Sequence, residues 1–200
     1  QKKIKSCEFI KKSFSNFLNN IHFDLEDTFC DKITLRYSPK KNASPAGFLK
    51  PIGPHRDTWA SNIFHQINWW FPIHNVDKDF SIYVVPYYFN KKIQNNSSDW
   101  SFEIYKRNED FLSSPICKIK FDEQKKFKLN IKSGEILCFS GNHLHGSSIG
   151  LKKRLNLETR TVCSQDPKKY KTPENIDSYS KAKKYKWFKS LLDNTGYPDG

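Results

Sequence analysis

A series of short strand-like segments fills the middle of the chain and constrains its fold more than any other feature. Apolar and β-branched residues alternate within these segments, and Asn, Asp, Gly or Pro separates one segment from the next. After a first short strand at 32–37, the predicted strands are 66–73, 80–88, 100–106, 116–121, 127–131, 135–140 and 154–162. Many short strands at this spacing are typical of an antiparallel sandwich or jelly roll.

Helices are predicted on both sides of this mainly β core. Between residues 9 and 21, Phe14, Leu18 and other apolar residues fall at helical spacing with Lys and Asn between them. In the charged tail, the segment 173–192 predicts a last helix with Trp187 on its apolar face. We expect this last helix to pack on the outside of the β core.

Length and composition indicate one globular domain. The 200 residues are 36% hydrophobic and 15% aromatic, and we expect a β core at about 32–163 followed by a helical tail at 164–200. No stretch reaches the roughly 18 apolar residues of a membrane span, and no signal-type apolar run follows the N-terminus, so we expect a cytoplasmic protein without membrane contacts. The five cysteines lack CxxC spacing and indicate neither a disulfide framework nor a zinc ribbon.

The formal net charge of +13 is compatible with a basic β-sandwich module that binds nucleic acid, because clustered Lys and Arg neutralise phosphates. Almost all of the excess is Lys, whereas Arg, the residue suited to bidentate phosphate and base contacts, occurs five times. Codon composition also explains the excess, since Asn, Ile, Phe and Tyr from A/T-rich codons accompany Lys. We therefore expect no nucleic-acid partner and keep that module as an alternative.

His55 and Asp57 are the first candidate metal ligands. On an extended segment, residues at i and i+2 point the same way, so the imidazole and the carboxylate can converge on one point. Later in the chain, the segment 134–147 reads as a buried strand that brings His145 next to small residues. His145 is the favoured third ligand, and His143 is a rival because it shares a face with His145 if the strand continues.

Two imidazoles and one carboxylate suit more than one metal. On iron they leave positions for a chelating 2-oxo acid and dioxygen, and on zinc they form a hydrolytic site with a water. The strand at 154–160 favours iron, because its alternation can point Arg154 and Arg160 into a barrel, where a guanidinium can bind the distal carboxylate of 2-oxoglutarate. A cupin-like hydrolase or isomerase that does not use 2-oxoglutarate remains the alternative.

Four pieces of sequence carry a resemblance to a known family over about residues 32–163. They are His-Arg-Asp-Thr-Trp at 55–59, Gln-Ile-Asn-Trp-Trp-Phe-Pro-Ile at 66–73, Ile-Tyr-Val-Val-Pro at 82–86, and the strand that ends in His145-Gly146-Ser147. In this order they resemble the phytanoyl-CoA dioxygenase-like branch of the Fe(II)/2-oxoglutarate oxygenases, which includes short bacterial members of biosynthetic pathways. The resemblance implies a double-stranded β-helix fold.

The resemblance also implies a function and a metal site. The implied enzyme is a non-haem dioxygenase that uses Fe(II), 2-oxoglutarate and dioxygen to hydroxylate a small molecule, with release of succinate and CO2. The implied iron ligands are His55, Asp57 and His145. Halogenating relatives carry a small residue in place of the carboxylate, so Asp57 favours hydroxylation, or a desaturation or ring-forming variant.

The 2-oxoglutarate site is implied by the same likeness. Arg154 would anchor the co-substrate, and Trp70 with Asn68 on the same strand face would line its pocket. Arg154 follows His145 more closely than is usual in the family, so Arg160 is kept as a second candidate anchor. Trp69 and Trp70 are adjacent, so one of the two must point inward if the segment is a strand.

The sequence leaves the substrate and the oligomeric state open. Substrate selection in such barrels depends on loops, and the segments 39–53 and 90–99 are candidate lids without a recognisable specificity motif. Arg36 could equally reach the pocket or pair on the surface.

Overall fold

A computed structural model of the chain describes residues 1–41, 43, 52–108, 111–171, 177–180 and 183–198. In these residues the strands are β1 (Thr28–Cys30), β2 (Thr34–Ser38), β3 (Ile67–Pro72), β4 (Ile82–Val84), β5 (Phe127–Lys128), β6 (Leu137–Ser140), β7 (His145–Ser147), β8 (Arg154–Cys163) and β9 (Lys189–Ser190). The helices are α1 (Lys2–Lys5), α2 (Glu8–Asn20), α3 (Asp57–Ser61), α4 (Phe102–Arg107) and α5 (Asp166–Lys169), with 3-10 turns at Pro86–Tyr88, Glu123–Lys125 and Tyr185–Trp187. None of these helices is long and apolar enough to cross a bilayer.

Two antiparallel sheets contain these strands. The larger sheet has the order β6-β3-β8-β1-β9, and β2 also pairs with β8. The smaller sheet has the order β5-β4-β7. Strand β8 organises the larger sheet, because it pairs with β3 along one edge and with both β2 and β1 along the other. A mainly antiparallel fold with few helices was expected, and this architecture is compatible with a cupin-like fold.

Helix α2 covers the outer face of the larger sheet. Phe14 and Leu18 lie one turn apart on its buried side, and the ring of Phe14 meets the edge of Trp69 from β3 at a centroid distance of 5.9 Å. Trp70, the next residue of β3, belongs to a different apolar cluster with Phe80 and Ile82 from the smaller sheet. Successive strand residues point to opposite faces, so Trp69 serves the outer core and Trp70 faces the space between the sheets.

Strand β7 of the smaller sheet turns His145 toward that inner space. His145 lies opposite Val84, and the next pair, Gly146 with Tyr83, points to the other face. A Cβ added to Gly146 would lie 2.5 Å from the Tyr83 hydroxyl. Glycine at 146 therefore lets the buried Tyr83 ring pass under β7 while His145 stays on the inner face.

The predicted strands at 100–106 and 116–121 are wrong. Residues 102–107 form helix α4, whose N-terminal Ser101 accepts a hydrogen bond from the Ile104 amide through its side chain. Glu103 in the first turn and two cationic residues in the last turn suit the helix dipole. The N-terminal cap and the charged residues at the two ends therefore favour a helix here, although the apolar residues alternate as in a strand. Within 116–121 the pairing is limited to one bridge between Cys117 and Asn95.

The predicted last helix at 173–192 is also wrong where the chain is described. Residues 173–176 and 181–182 lie outside the described part, and the rest forms the Tyr185–Trp187 turn followed by β9. Strand β9 pairs with β1, and the fully buried Phe188 packs against Phe29 there. Phe188 and Leu191, two of the apolar residues that suggested a helix, are thus buried at a sheet edge, whereas Leu192 is exposed. Among the described residues of the tail, α-helix is confined to α5.

The two predicted lid segments have different outcomes. Most of 39–53 lies outside the described residues. The segment 90–99 is described, and three of its residues are almost fully buried: Ile93 is 2% exposed, Asn95 6% and Ser97 2%. Asn95 also pairs with Cys117 through a β-bridge. These three side chains are therefore packed into the molecule, whereas Lys91, Lys92 and Gln94 are exposed, and the lid role of 90–99 stays a prediction.

Candidate metal centre

His55, Asp57 and His145 converge on one point between the two sheets. Their ligand atoms all lie within 4.8 Å of one another, and this cluster is the group of metal-binding side chains found among the described residues. The backbone brings the two imidazoles together, since the amide of His55 donates to the carbonyl of His145 and the amide of His145 donates back, both at 2.9 Å. The first residue of α3 then supplies the carboxylate of Asp57.

Backbone carbonyls set the tautomer of both histidines. Nδ1 of His55 lies 2.8 Å from the carbonyl oxygen of Gly53, and Nδ1 of His145 lies 2.9 Å from that of His143. A carbonyl oxygen can only accept, so each Nδ1 carries the proton and donates it. Both Nε2 atoms are left with a free lone pair, the arrangement that a metal-binding histidine requires.

Asp57 is oriented by a polar chain from β3. The side-chain amide of Asn68 donates to Oδ2 of Asp57 at 2.6 Å, and Gln66 donates to Oδ1 of Asn68 at 2.9 Å. The other carboxylate oxygen, Oδ1, lies 3.5 Å from Nε2 of His55. Asn68 contacts the carboxylate of the cluster, and its predicted place in a co-substrate pocket stays a prediction.

The electrostatics of the cluster favour a bound cation. Burial and the neighbouring charge of His55 together lower the pKa of His145 to about 4, so the imidazole is neutral at pH 7. Burial alone would raise the pKa of Asp57, but the neighbouring imidazoles of His55 and His145 and the charge of Arg160 hold it well below the usual range. A neutral imidazole at His145 and an ionised carboxylate at Asp57 are protonation states that a divalent metal binds.

His143, the rival third ligand, lies outside the cluster. Its Nδ1 faces the carbonyl of Ser140 at 3.3 Å, and its ring packs against Phe89 at a centroid distance of 4.5 Å. Its own carbonyl accepts the Nδ1 proton of His145. His143 thus contributes its backbone to the site, and the geometry selects His145 over His143.

Arg154 is a buried cation on the inner face of β8. It is 1% exposed, and its donors reach the carbonyl of Phe80 at 2.7 Å, the hydroxyls of Ser38 and Ser147 at 2.9 and 3.0 Å, and Oδ1 of Asn156 at 3.2 Å. All of these acceptors are neutral, and within the described part of the chain Arg154 forms no ion pair. Burial lowers its pKa to about 10, which leaves the guanidinium charged at pH 7.

Trp70 lies against this guanidinium. The central carbon of Arg154 is 5.4 Å from the centre of the Trp70 ring, and the ring is 4% exposed. The indole Nε1 of Trp70 is buried, and no acceptor among the described residues contacts it. A buried N–H donor without an acceptor is costly, and here it lies beside a cation for which the described part of the chain provides no counter-ion.

Arg160, the second candidate anchor, already has a carboxylate partner. It forms an ion pair with Asp31, and its guanidinium stacks on Trp187 at 5.3 Å from the ring centre. Burial lowers the pKa of Arg160, but the charges of Asp31 and Asp57 more than offset this effect and the net shift is upward. Arg154 and Arg160 share a face of β8. Arg160 has a carboxylate partner there, whereas Arg154 has none among the described residues.

Sequence reasoning missed a second charged pair on the inner face. Nε of Arg36 on β2 donates to Oε1 of Glu158 on β8 at 2.7 Å. Glu158 was part of the predicted strand but was given no role, and Arg36 was placed either in the pocket or on the surface. Cross-strand register, which depends on strands far apart in the chain, was the information that the sequence did not contain.

A buried network supports the His-x-Asp segment at residues 55–57, here called the metal loop, on the side that faces away from the cluster. Arg56, between the two ligands of the His-x-Asp segment, is 1% exposed and points away from the cluster to Asp177, with Nη1 3.2 Å from the carboxylate. The indole nitrogen of Trp59 in α3 donates to the same carboxylate at 2.8 Å, and the amide of Ile93 donates at 3.1 Å. Asp177 therefore joins the metal loop, the 90–99 segment and the tail.

We expect Asp177→Ala to destabilise the protein by about 3–5 kcal/mol, because it leaves the buried guanidinium of Arg56 without a counter-ion. Equilibrium unfolding in urea measures this loss. The matched control is Asp79→Ala, which removes an exposed carboxylate and should change the free energy of unfolding by less than about 0.5 kcal/mol. Equal stabilities of the two variants would contradict the structural role of Asp177.

Comparison with solved structures finds proteins that this chain resembles to different degrees. EvdO2 from Micromonospora carbonacea var. aurantiaca, solved with 2-oxoglutarate, has a TM-score of 0.51 over 84% of this chain and 61% of its own, at 10% identity. SnoN, an epimerase solved with Fe3+, alpha ketoglutarate and nogalamycin RO, has a TM-score of 0.48 over 82% and 59%, at 11% identity. ThoJ, a non-heme monooxygenase, has a TM-score of 0.46 over 70% and 48%, at 11% identity.

Low sequence identity and partial coverage limit what can be inferred from these three proteins. No protein-family model and no curated protein matches the chain. The chain spans less than two thirds of the length of each of the three solved proteins. At 10% identity, the likeness to EvdO2 shows a similar fold and nothing finer about the chemistry.

Proposed function

We propose that this chain is an Fe(II)- and 2-oxoglutarate-dependent oxygenase that hydroxylates a small molecule and releases succinate and CO2. The observation that carries the proposal is a His-Asp-His cluster in the same space between the sheets as the buried guanidinium of Arg154, which has no counter-ion among the described residues. The metal cluster alone is compatible with several enzymes, and the unpaired Arg154 narrows the choice.

The residues present fit both groups. His55, Asp57 and His145 would hold the iron through two Nε2 atoms and one carboxylate, the facial set that leaves positions open. Arg154 would hold the distal carboxylate of 2-oxoglutarate, with Ser147 and Ser38 contributing hydroxyls to the same anion. The orphaned indole N–H of Trp70 would gain an acceptor from the co-substrate.

Each group of this chain has a defined task in that reaction. With 2-oxoglutarate and dioxygen bound, Fe(II) would activate dioxygen, the oxidant, for attack on an unactivated carbon. Gly53 and His143 hold the two imidazoles in the metal-binding tautomer through their carbonyls, and Asn68 holds Asp57. The apolar residues Trp70 and Ile82 exclude water from the inner face.

The finer assignments belong to the same proposal. The architecture proposed is a double-stranded β-helix of the phytanoyl-CoA dioxygenase-like kind, supported by the two antiparallel sheets and by the His-x-Asp segment followed by His145. A carboxylate at position 57 supports hydroxylation over halogenation. The likeness in fold to EvdO2, which was solved with 2-oxoglutarate, is consistent with this choice.

Anaerobic titration with Fe(II) and then 2-oxoglutarate tests the proposal. We expect the weak visible charge-transfer band of a chelated 2-oxo acid, and glutarate, which lacks the 2-oxo group, is the matched control and should give no band. Iron binding without the band would instead support the cupin-like hydrolase or isomerase. Absence of metal binding would overturn the metal site itself.

A further inference from the structure

The pair Arg36 and Glu158 lies on the metal-facing side of the larger sheet. Arg36 is directly opposite Asn156 in the β2–β8 pairing, and Glu158 is opposite Trp70 in the β3–β8 pairing. Opposed residues of antiparallel strands share a face. Asn68, two residues before Trp70, donates to Asp57, so this face is the one that the metal cluster occupies.

Both members of the pair remain accessible on this inner face. The side chain of Arg36 is 32% exposed and that of Glu158 is 28% exposed, whereas Arg154 on the same face is 1% exposed. Arg154 is thus buried in the protein, and Arg36 is accessible to solvent. An anion bound to Arg154 would be buried, and an anion bound to Arg36 would lie closer to the surface.

The guanidinium of Arg36 is oriented by a hydrogen bond from Nε, and its other donors lack partners among the described residues. Its Nε is held by Glu158, whose other oxygen accepts from Nδ2 of Asn156 at 3.2 Å. Within the described part of the chain, the terminal nitrogens Nη1 and Nη2 make no hydrogen bond. A guanidinium oriented through Nε presents two parallel N–H donors, which match the spacing of carboxylate or phosphate oxygens.

Electrostatic coupling supports a position close to the metal cluster. The charge of Glu158 is the main cause that raises the pKa of Arg36, and the charge of Asp57 contributes in the same direction. Glu158 in turn raises the pKa of His145, although burial lowers it more. Arg36, Glu158 and the cluster therefore share one electrostatic environment.

We propose that Arg36 is a specificity-determining residue and that the substrate carries an anionic group, a carboxylate or a phosphate, which binds Nη1 and Nη2 of Arg36. This assignment rests on the proposed function for its meaning in catalysis. The anion site itself requires neither iron nor 2-oxoglutarate, because Glu158 and Asn156 already orient the guanidinium.

Calorimetric titration of the metal-free protein with inorganic phosphate and, separately, with butyrate tests the anion site and distinguishes the two chemistries. We expect at least one of the probes to bind, and Arg36→Gln to weaken that binding about 10- to 100-fold, the loss of a charge-assisted bidentate contact. Arg36→Lys should recover part of the affinity. The matched control Lys32→Gln removes one exposed positive charge just before β2 and should leave the affinity unchanged.

Three outcomes would overturn the proposal: no binding of either probe, equal losses in Arg36→Gln and Lys32→Gln, or competition between the bound probe and 2-oxoglutarate in the iron-loaded protein. The last result would place the anion at Arg154. A protein that binds a probe through Arg36 but gives no charge-transfer band would retain the anion site and lose the oxygenase assignment, so the two failures are distinguishable.

Discussion

Replacing His145 with alanine is expected to lower the affinity for Fe(II) by at least about 100-fold, since loss of even an outer partner of a metal ligand costs about 10- to 100-fold. The side chain removed is one of three that converge within 4.8 Å. The backbone hydrogen bonds that join residues 55 and 145 do not involve the imidazole, so the fold around the cluster should persist. Competition with a fluorescent chelator under anaerobic conditions measures the affinity.

His143→Ala is the matched control for this experiment. It removes an imidazole two residues away whose side chain lies outside the cluster, and it retains the carbonyl that accepts from His145. Iron affinity should therefore stay within about threefold of the unmodified protein, far from the loss expected for a direct ligand. Equal losses in the two variants would contradict the assignment of His145.

Replacing Arg154 with glutamine is expected to weaken 2-oxoglutarate binding about 10- to 100-fold, because a charge-assisted contact contributes about 1.5–3 kcal/mol. Iron affinity should change little, since Arg154 is not among the clustered ligands. Titration of the charge-transfer band with 2-oxoglutarate gives the dissociation constant. Retained iron binding shows that the buried substitution has not unfolded the site.

Arg160→Gln separates the two candidate anchors. Arg160 already pairs with Asp31 and stacks on Trp187, so its loss should leave 2-oxoglutarate affinity within about threefold, the small effect of a partly exposed pair. A larger effect of Arg160→Gln than of Arg154→Gln would transfer the anchor to Arg160 and remove the main argument from the unpaired Arg154.

The cluster was predictable because it depends on local spacing and residue type. His55 and Asp57 stand two apart in a single segment, which predicts that their side chains converge, whereas His145, expected at the end of a strand, is the first residue of β7. Alternation required that either Trp69 or Trp70 point inward, and the family resemblance assigned the inward position to Trp70.

Other features depend on contacts that periodicity does not encode. The segment 100–106 alternates like a strand, yet the cap at Ser101 makes it part of a helix. The spacing of Phe188 and Leu191 also fits one face of a helix. The structure instead places residues 189–190 in a strand, because they pair with the edge of β1. The pairing of Arg36 with Glu158 required the register of β2 on β8, which links residues 122 positions apart.

The contact between Arg56 and Asp177 has a consequence for the order in which the protein assembles. The residue that stands between two metal ligands receives its buried counter-ion from a segment 121 positions later in the chain. A nascent chain would have made strands β1 to β8 before that partner left the ribosome, and contacts of such long range form late. Docking of the tail against the segment between His55 and Asp57 should therefore be a late event of biosynthesis.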